Sequence, residues 1–384
     1  MSWNATDPPI TVEQMIERNK LVTLDQGREI LASTEPVAFT SFETGENIRF
    51  RVGDDWNENI AAQHGTEALD VFMSIGPEGA SHEYQLSLDA LHQAAKVPGI
   101  GSGYLERCPA DLVEDQLNYW FRTGLDKNLK LMLMGTEQLG VGITRESVEP
   151  FSNLQLLDKA LEVIERRYPG ASVYVDRSKL SHSLRNTHLQ LVLPDVGRII
   201  QDTGEVDDRW WGGLQISNSM TAEKQTMVDA FMFRQRCTNG YIDVQGEHGK
   251  WSRKSNGQDM ESVLAWAELA VEEAVGAYDG IFDRVQSLVG LRLDPGTVSE
   301  TAADLFAQQR IPGADQQRIV QNLVENDQLT MYHLTNAVTE AANSALGSGA
   351  QQRLMRAGGE VIRHAERCDG CHRMLPDGVD GHAH

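Results

Sequence analysis

Residues 208–243, DRWWGGLQISNSMTAEKQTMVDAFMFRQRCTNGYID, decide how the chain is read. Two segments of strand character, GLQIS (213–217) and DAFMFRQRC (229–237), flank a polar linker. The second runs into Asn239-Gly240, a dipeptide that signals a turn after a β run. The same stretch concentrates unusual residues: Trp210 and Trp211, Gly212 and Gly213, the polar run Ser217, Asn218, Ser219, and then Arg234, Arg236, Cys237, Thr238, Asn239 and Gly240. No single residue in it announces a reaction. It does predict two neighbouring strands, and hence a mainly antiparallel sheet.

Working outward, the text on the N-terminal side mixes strands and helices. TVEQMIERNKLV, after Pro8 and Pro9, reads as an acidic helix. From Pro36 to about Ile75 short alternating segments such as VAFTSF and IRFRV are separated by Gly45, Gly53 and Gly65, a pattern of strands and turns. Leu86, Leu88, Leu91 and Ala95 mark one helix, stopped near Pro98 and Gly99. Leu112, Leu117, Trp120 and Phe121 mark another. This helix pair does not suit DNA reading, because Asp111, Glu114 and Asp115 at the start of the second helix favour its dipole and repel phosphates. LKLMLMG and GVGITR read as strands, 153–167 as a helix, and SVYVDRSKLSHSLRNTHLQLVLP as two further strands around a polar, basic connection. No glycine-rich phosphate loop or dinucleotide fingerprint interrupts them.

After Asp259 the period becomes helical, through MESVLAWAELAVEEAVGAYDGIFDRVQSLVG to QQRLMRAGGEVIRHAER, for about five helices. The expected fold is therefore α+β: a mixed N-terminal and central region with a mainly antiparallel sheet, followed by a helical C-terminal region. The expected divisions are an N-terminal helical extension (1–35), a mixed core (36–258), a helical region (259–349), and a terminal helix with a zinc-binding tail (350–384).

The chain has 384 residues, long enough for two or three domains, and its 56 acidic against 34 basic residues give a formal net charge of -22. That balance opposes nonspecific attraction to nucleic acid or anionic membrane, so any nucleic-acid site must be a local patch. No apolar run approaches the roughly 18–20 residues of a membrane span, and the N-terminus lacks a basic start with an apolar core. A cytoplasmic protein with reduced cysteines is expected, Cys108, Cys237, Cys368 and Cys371 being too few and too uneven for a disulfide framework.

Two places carry possible chemistry. Between Arg177 and Lys254 there are 11 basic residues against 9 acidic ones, a reversal of the overall balance, interleaved with Trp210, Trp211, Phe231, Phe233, Tyr241 and Trp251. Cations that neutralise phosphate beside rings that stack on bases, worth roughly 1–3 kcal/mol each, make a single-stranded nucleic-acid groove. On this reading Arg234, Arg236, Lys250, Arg253 and Lys254 contact phosphate, and Trp210, Trp211 and Trp251 stack or frame the groove. Asn218 and Asn239 fix the turns that present them, with Ser219, Cys237 and Gly240 completing the motif. The competing reading makes the aromatics core and the cations a solvated edge. The other place is the tail, where Cys368-Asp-Gly-Cys371 supplies two thiolates at zinc-knuckle spacing and His364, His372 and His382 are available to complete a tetrahedral site. Unliganded cysteines in a frayed tail are the competing reading. Cys237, beside Arg236, has no partner histidine identified by sequence and is not assigned a nucleophilic role.

Three of these segments carry a family resemblance: GIGSGYLERCPADLVEDQLNYWF (99–121), LKLMLMGTEQLGVGITRESVEPFSNLQLLDKAL, and above all ISNS (216–219) followed by FRQRCTNG (233–240). Over roughly residues 80–280 the chain resembles the phage and plasmid-like proteins grouped as domain of unknown function 932, with a remote likeness to phage single-strand annealing proteins. The resemblance implies a phage or mobile-element protein in a bacterial host, acting without catalysis in replication or recombination as an oligomer that binds single-stranded DNA. The alternative, which the net charge favours, is an acidic self-assembling or host-protein-binding protein that does not touch nucleic acid.

Overall fold

The computed structural model describes residues 11–17, 20–58, 67–135, 139–177, 180, 187–204, 207–235, 239–243, 252–253, 260–293, 306–307, 313–325, 329–343 and 348–367. The fold is α+β, with two largely antiparallel sheets and C-terminal helices. The chain begins with α1 (Val12–Glu17), β1 (Leu21–Thr23) and α2 (Leu24–Thr34). Leu21 and Val22, expected to continue a helix, are instead strand, paired with residues 175 and 176. Helix α2 starts where it does because Thr23 and Gln26 form a reciprocal cap: the Thr23 side chain accepts from Gln26 N–H, and Gln26 Oε1 accepts from Thr23 N–H at 3.1 Å.

The first sheet comprises β2 (Ala38–Glu43), β3 (Ile48–Val52), β4 (Ala68–Ile75), β5 (His82–Ser87), β6 (Asn128–Met134) and β7 (Leu139–Arg145), in the order β2-β6-β7-β5-β4-β3. Only the β5–β7 pair is parallel. In β3, Ile48, Phe50 and Val52 point inward while Arg49 and Arg51 point out to Glu78 and Glu83, the alternation read from IRFRV. The inward residues meet α3 (Leu88–Lys96) and α5 (Ala110–Tyr119), with the short α4 (Ser102–Leu105) between them, in a core built around Leu86, Leu91, Leu117, Phe121 and Leu131. Leu86, expected on the helix, lies in β5. The helix starts two residues later because the Ser87 hydroxyl accepts from Ala90 N–H and caps it.

The second sheet comprises β1, β8 (Tyr174–Asp176), β9 (Thr187–Ile199), β10 (Arg209–Asn218), β11 (Thr226–Arg234), β12 (Asn239–Asp243) and the two-residue β13 (Ser252–Arg253), which pairs with β11 beside β12. Its central hairpin, β10–β11, is formed by the stretch from Arg209 to Arg234. The strand expected to stop at Pro194 runs on to Ile199. The register skips from Gly197 opposite Trp211 to Leu193 opposite Gly212, so Pro194 falls in the irregularity, where its missing N–H costs no ladder bond. Asn239-Gly240 is strand, opposite Arg234 and Phe233, not the turn.

β9 as far as Leu193, and nearly all of β10 and β11, are buried because helices cover both faces. On one face lie α6 (Asn153–Arg167), α7 (Met260–Gly276) and α8 (Tyr278–Gly290). The Tyr278 ring lies where a Cβ on Gly212 would stand, and its hydroxyl donates to Gly213 O at 2.7 Å. A Cβ on Gly213 would come within 2.2 Å of Leu191 O, so the two adjacent glycines admit a ring on one side and a close strand on the other. The C-terminal helices α9 (Gly313–Glu325), α10 (Met331–Asn343) and α11 (Ser348–Arg367) complete this larger core, and α11 lies over the opposite face through Met355 and Arg356. The two sheets meet at the β10–β11 turn: Met220 packs against Met132 and Val141, Thr144 donates to Thr221 O at 3.2 Å, and Lys96 pairs with Glu223.

Candidate functional site

The residues expected to form a nucleic-acid groove are gathered by the fold, but inside it. Trp210 is 1% exposed and Trp211 2%. Trp211 stacks on Phe233 with ring centroids 5.8 Å apart, directly across the β10–β11 ladder, and Trp210 Nε1 donates to the Tyr332 hydroxyl at 3.0 Å. Arg234 is 5% exposed and forms a two-pronged ion pair with Asp208, Nε to Oδ1 at 2.7 Å and a terminal nitrogen to Oδ2 at 2.6 Å. The Tyr332 hydroxyl also donates to Asp208, and its ring lies 5.5 Å from the Arg234 guanidinium. Trp210, Trp211 and Arg234, expected at a groove, are therefore buried in this fold with internal partners. Two of them, with Asp208, tie the hairpin's open end to the start of α10. Burial pushes the Tyr332 hydroxyl pKa well above the usual phenol range, so it remains a donor to the carboxylate.

Asn218 and Ser219 act at the hairpin's other end. The Asn218 side chain donates to Phe151 O at 2.7 Å and to Asn153 Oδ1 at 2.9 Å, and accepts from the Thr226 hydroxyl at 2.9 Å. It joins the start of α6 to both strands. Ser219 Oγ accepts from Glu223 N–H inside the turn. The contacts Asn218 makes beside the turn all run through its side-chain amide. The left-handed position belongs to Ala222, at φ +56°.

Between these ends the face under α11 carries a polar seam. His188 Nδ1 and Ser217 Oγ are 2.9 Å apart, Gln190 donates to Gln215, and Arg356 reaches Asp229 at 3.1 Å. Burial, with Lys224 and Arg356 nearby, pushes the His188 pKa down to about 3, so the ring is neutral. The seam has no exposed nucleophile, and we read it as a device that fixes the register of α11 on the sheet.

Arg236, Lys250, Trp251, Lys254 and Cys237, and the tail residues Cys368, Cys371, His372 and His382, lie outside the described residues, as do the side chains of Asn239, Arg253 and His364; Gly240 has only its strand position described. Among the described residues no group of three or more His, Cys, Asp or Glu is placed to hold a metal ion, and no helix is long and apolar enough to cross a membrane. Cys108 is buried in the first core.

The surface that sequence reasoning missed lies on α5 and the π turn that follows it (Trp120–Gly124). Tyr104, Leu112, Tyr119 and Trp120 are exposed, Tyr119 at 62%. Leu112, Gln116, Tyr119 and Trp120 recur at helical spacing on one face, Gln116 Nε2 donates to the Tyr104 hydroxyl at 3.1 Å, and Tyr119 packs edge-on to Trp120. Leu112 and Trp120, which with Leu117 and Phe121 mark this helix in the sequence, face out of the core. The buried stripe is Val113, Leu117 and Phe121, one residue on, and the signal available was an apolar band wider than one buried face needs.

Compared with known proteins, the chain matches no protein-family model, no curated protein and no solved structure.

Proposed function

We propose that this is an acidic, nonenzymatic protein of a phage or mobile element that assembles with copies of itself through the α5 face. The observation that carries this reading is the contiguous exposed set Tyr104, Leu112, Tyr119 and Trp120 in a chain of net charge -22. Leu112, Gln116 and Trp120 are evenly spaced about Gln116, so an antiparallel meeting of two α5 helices places Leu112 of each copy against Trp120 of the other. The same meeting brings exposed Asp111 toward Arg122 of the second copy, opposite charges at matching ends. Copies of like net charge repel, so assembly should tighten as salt is added.

The expected result in light scattering and sedimentation is a multimer at micromolar concentration, strengthened by salt. Leu112→Asp with Trp120→Asp should give a monomer of unchanged circular dichroism. A wild-type chain that stays monomeric at high salt would remove this reading.

A second reading keeps DNA as the partner, now through residues 236–254 alone. It rests on the basic residues Arg236, Lys250, Arg253 and Lys254 of that segment, which β13 joins to the sheet where Ser252 and Arg253 pair with Met227 and Thr226. Fluorescence anisotropy with labelled single-stranded and duplex DNA distinguishes the two. DNA binding through a basic segment weakens steeply with salt, the opposite of the trend for self-assembly. No binding at low salt would discard it.

A further inference from the structure

The first sheet has two ends, and the fold treats them differently. At β3, α5 closes the edge: Asn118 accepts from Phe50 N–H at 2.8 Å and donates to Phe50 O at 2.9 Å, and Glu114 accepts from Val52 N–H at 2.9 Å. These side chains supply what a neighbouring strand would. At β2 no described element does so. Thr44 N–H donates inward to Lys127 O, and the ladder alternates, so the N–H and C=O of Phe39, Ser41 and Glu43 turn outward. Ala38, Phe39, Ser41 and Glu43 are all exposed, Phe39 at 47%.

A cleft of about 350 Å³ opens beside this edge, lined by Phe39, Lys130 and the segment from Glu146 to Pro150. Lys130 is committed: it donates to Val148 O at 3.2 Å and its ammonium lies 5.8 Å from the Phe39 ring centroid. Glu146 and Glu149 at the cleft, and Glu43 on the strand, are exposed carboxylates with no ion-pair partner among the described residues. The carboxylates outnumber the one cation, and an aromatic ring forms the wall.

We propose that the β2 edge binds an extended segment of a partner protein by strand addition, and that the cleft takes a Lys or Arg side chain of that segment. Backbone groups at 39, 41 and 43 supply the ladder, the Phe39 ring faces the cation's stem, and Glu146 and Glu149 neutralise its charge. A second copy's β2 is a poorer occupant, since it brings Glu43 toward carboxylates already in excess. This site is at the opposite end of the sheet from the α5 face and does not rest on the assembly proposed above.

The test is selection on the full-length chain from a displayed library of randomised peptides about seven residues long, followed by anisotropy titration of the selected peptides. Selected sequences should carry Lys or Arg at one fixed position among β-forming residues. Ser41→Pro, which removes an outward N–H and leaves the β6 ladder bonds in place, should weaken binding roughly tenfold or more at unchanged circular dichroism. Glu146→Gln with Glu149→Gln should remove the preference for a basic residue over its Gln counterpart while weaker binding persists. The proposal fails if no basic consensus emerges, or if Ser41→Pro binds the selected peptides as well as the wild type. It also fails if the chain self-associates through this edge, seen as a multimer that Ser41→Pro dissociates and Leu112→Asp does not.

Discussion

Asp208→Ala is expected to lower the unfolding free energy by about 3–5 kcal/mol, measured by urea denaturation. Asp208 is fully buried and accepts from Arg234 through both oxygens and from Tyr332, so its removal takes from a buried guanidinium the carboxylate that holds it at two points. Leaving a charge buried and unpaired costs far more than the intact pair contributes relative to apolar residues of the same volume. The double change Asp208→Leu with Arg234→Met should therefore recover most of the loss. A single-variant loss below about 1 kcal/mol would mean that water reaches Arg234, which contradicts its burial. The same geometry changes how DNA binding has to be tested. Charge reversal at Arg234, the natural probe of a basic groove, places a carboxylate beside Asp208 and unfolds the hairpin's end, so lost binding in that variant reports stability. Lys250 and Lys254 are the informative positions.

The elements were largely legible because local signals and tertiary burial agree in them. The sequence shows helix 153–167 in the helical recurrence of its apolar residues, and the Ser152 hydroxyl, accepting from Gln155 N–H, fixes its start. GLQIS and DAFMFRQRC became β10 and β11 because β-branched and aromatic residues fill a sheet buried on both faces. Where Trp210, Trp211 and Arg234 lie was not legible in the same way. Cations interleaved with aromatics have one composition whether they line a groove or form a core, and only the partner decides. For Arg234 that partner is Asp208, 26 residues earlier, and for Trp210 it is Tyr332, 122 residues later. Neither separation leaves a local pattern. Trp120 shows the converse: it marks the helix in the sequence together with Phe121, yet the neighbouring stripe of Val113, Leu117 and Phe121 already fills the core. The closure of the β3 edge by Asn118 and Glu114 was equally hidden, since an acidic residue early in a helix is read first as a response to the helix dipole.

Stability should also fall in mild acid, with His188 as a principal cause. Its ring is 4% exposed, 2.9 Å from Ser217 Oγ, and its pKa is pushed down to about 3 by burial, reinforced by Lys224 and Arg356. In the unfolded chain the ring returns to a pKa near 6.5. Between those values the unfolded state holds a proton that the folded state does not. Stability is therefore complete above pH of about 6.5 and declines as pH falls, by up to about 1.4 kcal/mol per pH unit, until the folded ring protonates near the lower value. Carboxylates add their own dependence below about pH 5, so the informative window is roughly pH 6.5 to 5. His188→Gln retains a hydrogen-bonding group opposite Ser217 and cannot titrate. Urea midpoints collected across that window should slope for the wild type and slope less for the variant, the remaining slope coming from His333, whose pKa burial also lowers, whatever the variant's stability at neutral pH. Parallel profiles would show that the ring accepts a proton in the folded state. The seam of His188, Gln190, Gln215 and Asp229 beneath α11 would then be open to water, and the register of that helix would have to be fixed by its apolar contacts alone.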